Sequence, residues 1–339
     1  MRRRIPAFSL STALLVALSL TSTGVAQAAP SRTGAEAKAE HARIVEYWTP
    51  ARMADATPRD FVKTDHGFVP AAKGGKPGGG GDGGGTGAVT GVSWTDGGDV
   101  LAGTGKVFFT MAGNRYTCSG AVAADGGLAG RSLVLTAGHC AYDETNGGFA
   151  EDWLFIPGYD TAPTSACPDT TYGCWTAAAL VVDSDYASAG GFNNQAIMHD
   201  WAFAVVDAGG KSGGEPQLDK AVAAFAIAFD AATGSRYAFG YPAQGKYTGS
   251  DLVYCAGDVI SDGGMDGKTW GLACDMTPGS SGGPWFKAFA ASSGVLNSLN
   301  SYKYIGGRLK NYMFGPKFND ETATTYETAL TATSDTLAN

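Results

Sequence analysis

Short runs of apolar residues, separated by residues that favour turns, dominate the chain from about residue 91 to its end. The clearest runs lie at 105–111, 116–123, 132–136, 178–182 and 202–206. Runs of this length, rich in Val, Phe and Leu and bounded by Gly, Asn and Asp, are typical of β-strands. Because regular helical periodicity is scarce in this part of the chain, the pattern predicts an all-β barrel or sandwich.

Helical spacing is found mainly near the two ends of the chain. Between about residues 35 and 53 one apolar face recurs at helical intervals, formed by Ala37, Ile44 and Trp48. This spacing predicts a short helix that ends or kinks at Pro50. Residues 321–330 predict a closing helix, whereas we interpret the alanine-rich stretch 221–229 as an irregular strand within an all-β domain.

The first 28 residues have the pattern of a signal peptide. Arg2, Arg3 and Arg4 precede a short apolar run at 8–20, and small residues at 26 and 28 predict cleavage after Ala28. The run is too short for a membrane span, which disfavours an N-terminal anchor. The sequence therefore predicts a secreted, extracellular protein that has no membrane association once the signal peptide is removed.

A glycine-rich stretch divides the remaining chain. Residues 74–90 offer few side chains to bury and are expected to form a flexible linker. We interpret residues 29–73 as a propeptide or accessory segment, with disordered padding as the alternative. Residues 91–339 have a size that one all-β domain can reach.

Charge and cysteine content narrow the class of protein. Removal of residues 1–28 takes away three arginines and no acid, which lowers the formal net charge from −8 to −11. A chain this acidic, without a basic patch, is not expected to bind nucleic acid. An even count of 6 cysteines in an exported chain predicts three disulfides, for which about 15 connectivities are possible. No C-x-x-C pair occurs and the histidines are scattered, which disfavours a metal site built from these residues. No organic cofactor is expected, and a structural calcium remains an open alternative.

Three segments carry residues suited to nucleophilic catalysis. Ser281 lies in a Gly-Ser-Ser-Gly-Gly loop, whose glycines allow another backbone to approach closely. His139 directly follows an apolar run, and Asp200 directly precedes another. A serine hydroxyl needs a base, an imidazole can take and return its proton, and a carboxylate can orient the ring.

The order His139, Asp200, Ser281, together with the residues around each, resembles the chymotrypsin-like (trypsin-fold) serine proteases. The loop also matches the G-x-S-x-G pattern of α/β-hydrolases. That fold needs a histidine after the serine, and every histidine of this chain precedes Ser281. The hydrolase alternative is therefore disfavoured.

The resemblance implies two six-stranded antiparallel β-barrels followed by a C-terminal helix. It also implies a monomeric serine endopeptidase that cleaves protein or peptide substrates through an acyl-enzyme. Backbone N–H groups of Gly279 and Ser281 would hold the oxyanion. Asp185 is the alternative third member of the triad, and His199 is expected to be a surface or packing residue. A non-catalytic binding or regulatory protein on the same fold remains the competing interpretation, and a cell-surface adhesion module is disfavoured because it would leave the triad without a purpose.

Disulfide pairing follows partly from the resemblance and partly from position in the chain. In the family, a bridge closes the loop that carries the base, which implies Cys118–Cys140. Cys167 and Cys174 are close in sequence, and the last two cysteines flank a predicted hairpin. Pairing in chain order is therefore predicted, with the remaining bridges Cys167–Cys174 and Cys255–Cys274.

The chain also departs from trypsin. Ser280 stands where digestive relatives carry an Asp, and no Ile-Val-Gly-Gly start lies near residue 91, so activation through a buried ammonium–carboxylate pair is not expected. In this respect the chain resembles the bacterial glutamyl-endopeptidase-like branch, and 313–318 resembles secreted actinobacterial members. The stretch 48–53 resembles leader segments of secreted proteases, so residues up to the linker are expected to assist folding or cover the cleft.

Substrate preference rests on few residues. Asp275 lies six residues before Ser281, where trypsin keeps the acid that binds Arg or Lys, which favours a preference for basic residues. The alternative is that Asp275 has another role, because glutamyl-specific relatives also carry an Asp near this position. Those relatives bind Glu with help from a His after the nucleophile, and this chain has no such His. The strand that pairs with substrate is expected near 298–301, with Ser298 and Ser301 as candidate substrate-binding residues.

Overall fold

The computed structural model describes Met1 and residues 33–71, 90–159 and 166–339. The predicted signal peptide beyond Met1 and the predicted linker up to residue 89 lie outside these ranges. Contacts divide the chain into Met1–Pro30 and Ser31–Asn339, and the second unit carries the fold presented here. Within the described ranges, every helix is too short or too polar to span a bilayer.

The described residues form nineteen strands and seven α-helices. The strands are β1 (Thr57–Pro58), β2 (Phe61–Thr64), β3 (Gly67–Pro70), β4 (Val92–Ser93), β5 (Thr104–Met111), β6 (Asn114–Ala123), β7 (Ser132–Thr136), β8 (Glu151–Pro157), β9 (Trp175–Asp183), β10 (Ala202–Val206), β11 (Ser235–Gly240), β12 (Val253–Asp258), β13 (Ile260–Ser261), β14 (Thr269–Ala273), β15 (Pro284–Ala290), β16 (Ser293–Leu299), β17 (Tyr302–Tyr304), β18 (Tyr312–Pro316) and β19 (Thr336–Ala338). The helices are α1 (Gly34–Tyr47), α2 (Pro50–Asp55), α3 (Gly98–Gly103), α4 (Ser184–Ala187), α5 (Asn194–Met198), α6 (Leu218–Ala221) and α7 (Asp320–Thr331).

Six strands close into an antiparallel barrel. Their order is β6-β5-β8-β9-β10-β7, and pairing of β7 with β6 completes the circle. Strands β7 and β10 are buried along their whole length, which explains their continuous apolar runs. They are antiparallel neighbours with Thr136 opposite Ala202, so the end of β7 meets the start of β10. This register brings the residues after β7, including His139, next to the residues before β10, including Asp200.

The C-terminal half consists of two further sheets. One has the strand order β16-β15-β11-β12-β4, and the other has the order β13-β14-β18-β17-β2-β3. The disulfide Cys255–Cys274 joins β12 to the residue after β14. Among the described residues, the strand pairings do not link these two sheets into a closed second barrel. Strands β2 and β3 come from the predicted propeptide segment, so that segment supplies two of the six strands in the sheet that begins with β13.

The N-terminal helices confirm the predicted apolar face. Thr33 caps α1 in a capping box with Glu36, and Ile44 and Trp48 are buried. Pro50 begins α2 after α1 has ended, because a proline at the first helical position has no N–H to leave unpaired. In the structure, residues 33–71 form two helices and three strands, and their apolar residues Ile44, Trp48 and Met53 are buried.

The remaining sequence predictions have mixed outcomes. Helix α7 confirms the predicted closing helix. Residues 221–229 begin at the end of the short helix α6, after which Phe225 and Ile227 form only isolated bridges with Ala123 and Leu296. All three disulfides connect the cysteines in chain order, as predicted: Cys118–Cys140, Cys167–Cys174 and Cys255–Cys274.

A buried lysine in β5 predicts how stability depends on pH. Lys106 is 6% exposed and donates to the Gly249 carbonyl oxygen at 3.0 Å. Burial lowers the pKa of Lys106 from 10.5 to about 8. Between these two values the unfolded chain binds more protons than the folded chain, so the free energy of unfolding rises with pH across that window.

We expect a Lys106→Met variant to lose this rise, which amounts to about 3 kcal/mol. Urea unfolding from about pH 7.5 to about pH 10, with Ser281→Ala in both proteins, measures the difference. Parallel pH profiles for the two proteins would contradict the prediction.

Candidate active site

His139 and Asp200 form a fully buried pair. His139 lies in a 3-10 turn, Gly138–Cys140, directly after β7. Its Nδ1 is 2.9 Å from Asp200 Oδ2 and 3.1 Å from Oδ1, and its backbone N–H donates to Oδ1 at 2.9 Å. Since an ionised carboxylate can only accept, the proton of a neutral ring lies on Nδ1 and Nε2 is left as the basic nitrogen.

Ser301 supports this pair from the second half of the molecule. Its hydroxyl donates to Asp200 Oδ2 at 2.5 Å, and all the atoms involved are buried. The carboxylate thus accepts hydrogen bonds from His139 and from Ser301 at once, which restricts its orientation. Sequence reasoning placed Ser301 among substrate-binding residues, whereas its side chain contacts Asp200.

Asp185, the alternative triad acid, and His199, the expected surface or packing residue, lie apart from the His139–Asp200 pair. Asp185 is exposed at the start of α4, whereas the carboxylate that contacts the His139 ring is that of Asp200. His199 is ion-paired with Asp183 at 3.3 Å. Burial would lower the pKa of His199, but Asp183 and Glu321 outweigh burial and raise it. Asp183, Asp185 and His199 also place their ligand atoms within 4.8 Å of one another.

Ser281 lies in a loop whose glycines allow a close approach to the barrel. Gly279 and Gly282 have φ of 103° and 79°, which side chains disfavour. A Cβ at Gly282 would lie 2.3 Å from Thr136 Oγ1, at the end of β7. The Ser281 carbonyl oxygen accepts from the Ser119 N–H at 2.7 Å. The loop is therefore pressed against the strands that lead to His139.

Asp60, from the N-terminal segment, occupies the space in front of Ser281. The Ser281 hydroxyl donates to Asp60 Oδ1 at 2.6 Å, and the Gly279 N–H donates to Asp60 Oδ2 at 2.9 Å. Among the described residues, the buried Nε2 of His139 has no hydrogen-bond partner. Burial raises the pKa of Asp60, although His139, Ser281 and Gly279 oppose that rise. Sequence reasoning missed Asp60 because no motif surrounds it.

Asp275 is held by three donors of its own. Its carboxylate accepts from the Gly91 N–H at 2.7 Å, the Tyr247 hydroxyl at 2.5 Å and the Lys246 ammonium at 2.6 Å. Burial raises the pKa of Asp275, but these hydrogen bonds outweigh burial and lower it. Lys303 donates to the carbonyls on either side of Asp275, and burial lowers the pKa of Lys303 to about 8. This region therefore carries two cations and one carboxylate.

The stretch 298–301, predicted to pair with substrate, makes side-chain contacts within the domain. Ser298 is buried and donates to the Pro316 carbonyl oxygen at 2.7 Å, so its side chain joins two strands instead of facing the cleft. The strand that pairs with the N-terminal segment is β17, which follows the predicted stretch 298–301 directly.

Comparison with known proteins adds to this geometry. No family model and no curated protein matches the chain. The protease Anisep from Arthrobacter nicotinovorans is 37% identical, with 68% of this chain and 96% of Anisep covered and a TM-score of 0.58. The thermostable serine protease AL20, from an extremophilic microorganism, is 36% identical over 68% of this chain and 98% of AL20, with a TM-score of 0.57. The chain belongs to the chymotrypsin-like serine proteases.

The fold of this protease is shared more widely than its sequence. A Glu endopeptidase is 16% identical, with 72% of this chain and 97% of that protein covered and a TM-score of 0.51, which shows a common fold alone. The resemblance drawn from the three sequence segments is thus confirmed. The protease is mostly β, with one closed barrel and a C-terminal helix, and its neighbours support action on peptides.

Proposed function

We propose that the protein is a secreted serine endopeptidase that uses Ser281 as nucleophile, His139 as general base and acid, and Asp200 to orient the imidazole. The observation that carries the proposal is the buried His139–Asp200 pair beside the glycine-flanked serine loop. Nε2 would take the proton of Ser281 during attack on the peptide carbonyl and return it to the leaving amine. A water would then hydrolyse the acyl-enzyme.

Stabilisation of the oxyanion is assigned to the N–H groups of Gly279 and Ser281. The Gly279 N–H donates a hydrogen bond to Asp60 Oδ2, so this loop can bind a negatively charged oxygen at that position. A donor that is already oriented costs no reorganisation when charge develops on the substrate, and each is worth about 3–4 kcal/mol. A glycine suits this position because a φ of 103° is one that residues with a Cβ rarely adopt, and its N–H already donates to Asp60.

The same proposal covers the organisation of the precursor. Residues 1–28 would direct secretion, 29–73 would act as a propeptide, 74–90 would be the linker, and 91–339 would form a monomeric peptidase domain. The closed barrel, together with the disulfides, is consistent with an extracellular domain. We further infer that the six longest strands of these two sheets, β11, β12, β14, β15, β16 and β18, correspond to the second six-stranded barrel of the family, with the Cys255–Cys274 bridge joining its two parts. In the precursor the propeptide would keep the protease latent.

The test is covalent labelling of the secreted protein after the propeptide has been removed. A fluorophosphonate probe should label Ser281, and Ser281→Ala should abolish labelling. Mass spectrometry of the same sample, with a peptide library, would give the mature N-terminus and the cleavage preference. A processed protein that neither reacts with the probe nor cleaves any peptide would instead favour the non-catalytic binding protein.

The proposed preference for basic residues leads to a specific prediction. Three donors already occupy about three of the four acceptor sites of the Asp275 carboxylate. Lys246→Ala removes one of these donors and a competing cation. We expect kcat/KM for substrates with Arg before the cleaved bond to rise by about tenfold.

The control is Lys211→Ala, which removes an exposed lysine outside the cleft. Kinetics with matched Arg and Glu peptides measures the ratio. If Lys246→Ala leaves that ratio unchanged, Asp275 supports Gly91 and Tyr247 and does not bind substrate.

A further inference from the structure

The N-terminal segment between Thr57 and Ala71 pairs with strands of both halves of the molecule and passes Ser281. Strand β1 pairs with β6 of the barrel, and β2 pairs in parallel with β17, with Phe61 opposite Tyr302. The hairpin of β2 and β3 is closed by a hydrogen bond from the Ala71 N–H to the Asp60 carbonyl oxygen at 2.8 Å. Asp60 thus lies between β1, which is bound to one half of the molecule, and β2, which is bound to the other.

The peptidase domain offers a buried carboxylate to this segment. Arg59 donates to Glu144 at 2.9 Å and to the carbonyl oxygen of His139 at 2.5 Å. The Glu144 side chain is 1% exposed and also accepts from the Tyr186 hydroxyl at 2.8 Å. A carboxylate this deeply buried is costly unless it is paired with a cation. Arg59 supplies that cation, so this part of the domain is matched to the segment.

Aromatic contacts fix the segment on the other side of Asp60. Phe61 stacks on Phe192 with ring centroids 3.9 Å apart, and both rings contact the imidazole of His139 edge-on, at 5.7 and 5.4 Å. Phe68 packs against Phe192 and Tyr302. These rings leave the imidazole fully buried and Asp60 only 9% exposed, and such low exposure to solvent strengthens the hydrogen bonds that Asp60 accepts.

We propose that residues 57–71 form an inhibitor in cis, in which the Asp60 carboxylate occupies the oxyanion site and holds the Ser281 hydroxyl. This inference rests on the proposed function of the same site. The hydroxyl donates to Asp60 instead of to Nε2, so the base cannot take its proton. The group that lies at Ser281 is a carboxylate and not a peptide carbonyl. Because a carboxylate is a poor electrophile, the segment is bound without being cleaved. Arg59 and Phe61 anchor it on either side.

The experiment measures how fast a fluorophosphonate probe labels Ser281 in the secreted full chain. Unprocessed wild-type protein should react slowly. Asp60→Ala, which removes both hydrogen bonds, should accelerate labelling of the unprocessed chain by about ten- to a hundredfold. Glu144→Gln weakens the anchor of Arg59 without touching Ser281 and should accelerate labelling to a smaller extent. The matched control is Asp65→Asn, an exposed residue in the turn of the same hairpin, which should react like wild type.

The outcomes separate the two proposals. If unprocessed wild type reacts as fast as Asp60→Ala, the inhibitory role of Asp60 is wrong while the protease assignment stands. If neither unprocessed nor processed wild-type protein reacts with the probe, the proposed function itself fails. Should Asp60→Ala not accumulate, Asp60→Asn keeps the shape of the side chain and removes its charge. Faster labelling of Asp60→Asn supports the inference, and labelling of both Asp60→Asn and Glu144→Gln at the wild-type rate contradicts it.

Discussion

Ser281→Ala is expected to lower kcat of the processed protease by about a millionfold, and adding His139→Ala to that variant is expected to cause little further loss. The reason is that the two side chains act in one step: without the hydroxyl there is no proton for Nε2 to take. Substrate would still bind, because the variant keeps the Gly279 N–H that is proposed to contact the substrate carbonyl oxygen. Steady-state kinetics on a peptide that the library identifies, for both single variants and the double variant, measures the effect.

Ser280 offers a matched control in the same loop. Its hydroxyl is buried and donates to the Thr277 carbonyl oxygen at 3.0 Å, so it faces its own loop and not the base. We expect Ser280→Ala to retain kcat within about tenfold of wild type. Equal losses for Ser280→Ala and Ser281→Ala, or fully additive losses for Ser281→Ala and His139→Ala, would show that the nucleophile has been assigned incorrectly.

Asp200→Asn is expected to lower kcat by about ten-thousandfold with little change in the fold. The carboxylate accepts from the His139 ring, the His139 backbone and Ser301. An amide would turn an N–H toward one of these donors, and the ring would then protonate on Nε2, the atom that must accept the proton of Ser281. The rate at neutral pH and at higher pH, together with near-UV circular dichroism, distinguishes loss of the base from loss of folding.

Two further variants define what Asp200 contributes. Asp185→Asn changes an exposed aspartate just after β9 and should leave kcat unchanged. A large loss of kcat would instead indicate that Asp185 is the triad acid. Ser301→Ala removes one donor from Asp200 and leaves the imidazole in place. We expect a smaller loss of about tenfold, mainly in kcat, because Ser301 orients the carboxylate and is not proposed to contact substrate.

Much of the barrel could be predicted from local sequence. The continuous apolar runs of β7 and β10 correspond to strands buried along their whole length, and their bounds coincide with the predicted runs. His139 and Asp200 directly flank these two runs in the chain, so antiparallel pairing of the strands was enough to bring them together. The disulfides followed the chain order for a similar reason, since each bridge closes a short stretch of 7 to 22 residues.

The contacts that sequence reasoning missed join distant parts of the chain. Asp60 meets Ser281 across 221 positions, and Ser301 meets Asp200 across 101. An aspartate in a polar stretch looks like a surface residue until β1 and β2 are placed on different sheets. The predicted propeptide proved harder still, because two of its strands complete a sheet whose other members lie beyond residue 259.

The sequence by itself determined which reactive groups the protease carries, their order along the chain and the strands that flank them. These properties are local, because an apolar run or a glycine next to a serine acts on its own neighbours. Only the tertiary structure decided which group meets the Ser281 hydroxyl. That choice depends on the parallel register of β2 against β17 and on the burial of Arg59 against Glu144. These contacts give the Ser281 hydroxyl a hydrogen bond to the Asp60 carboxylate, while Nε2 of His139 has no partner among the described residues.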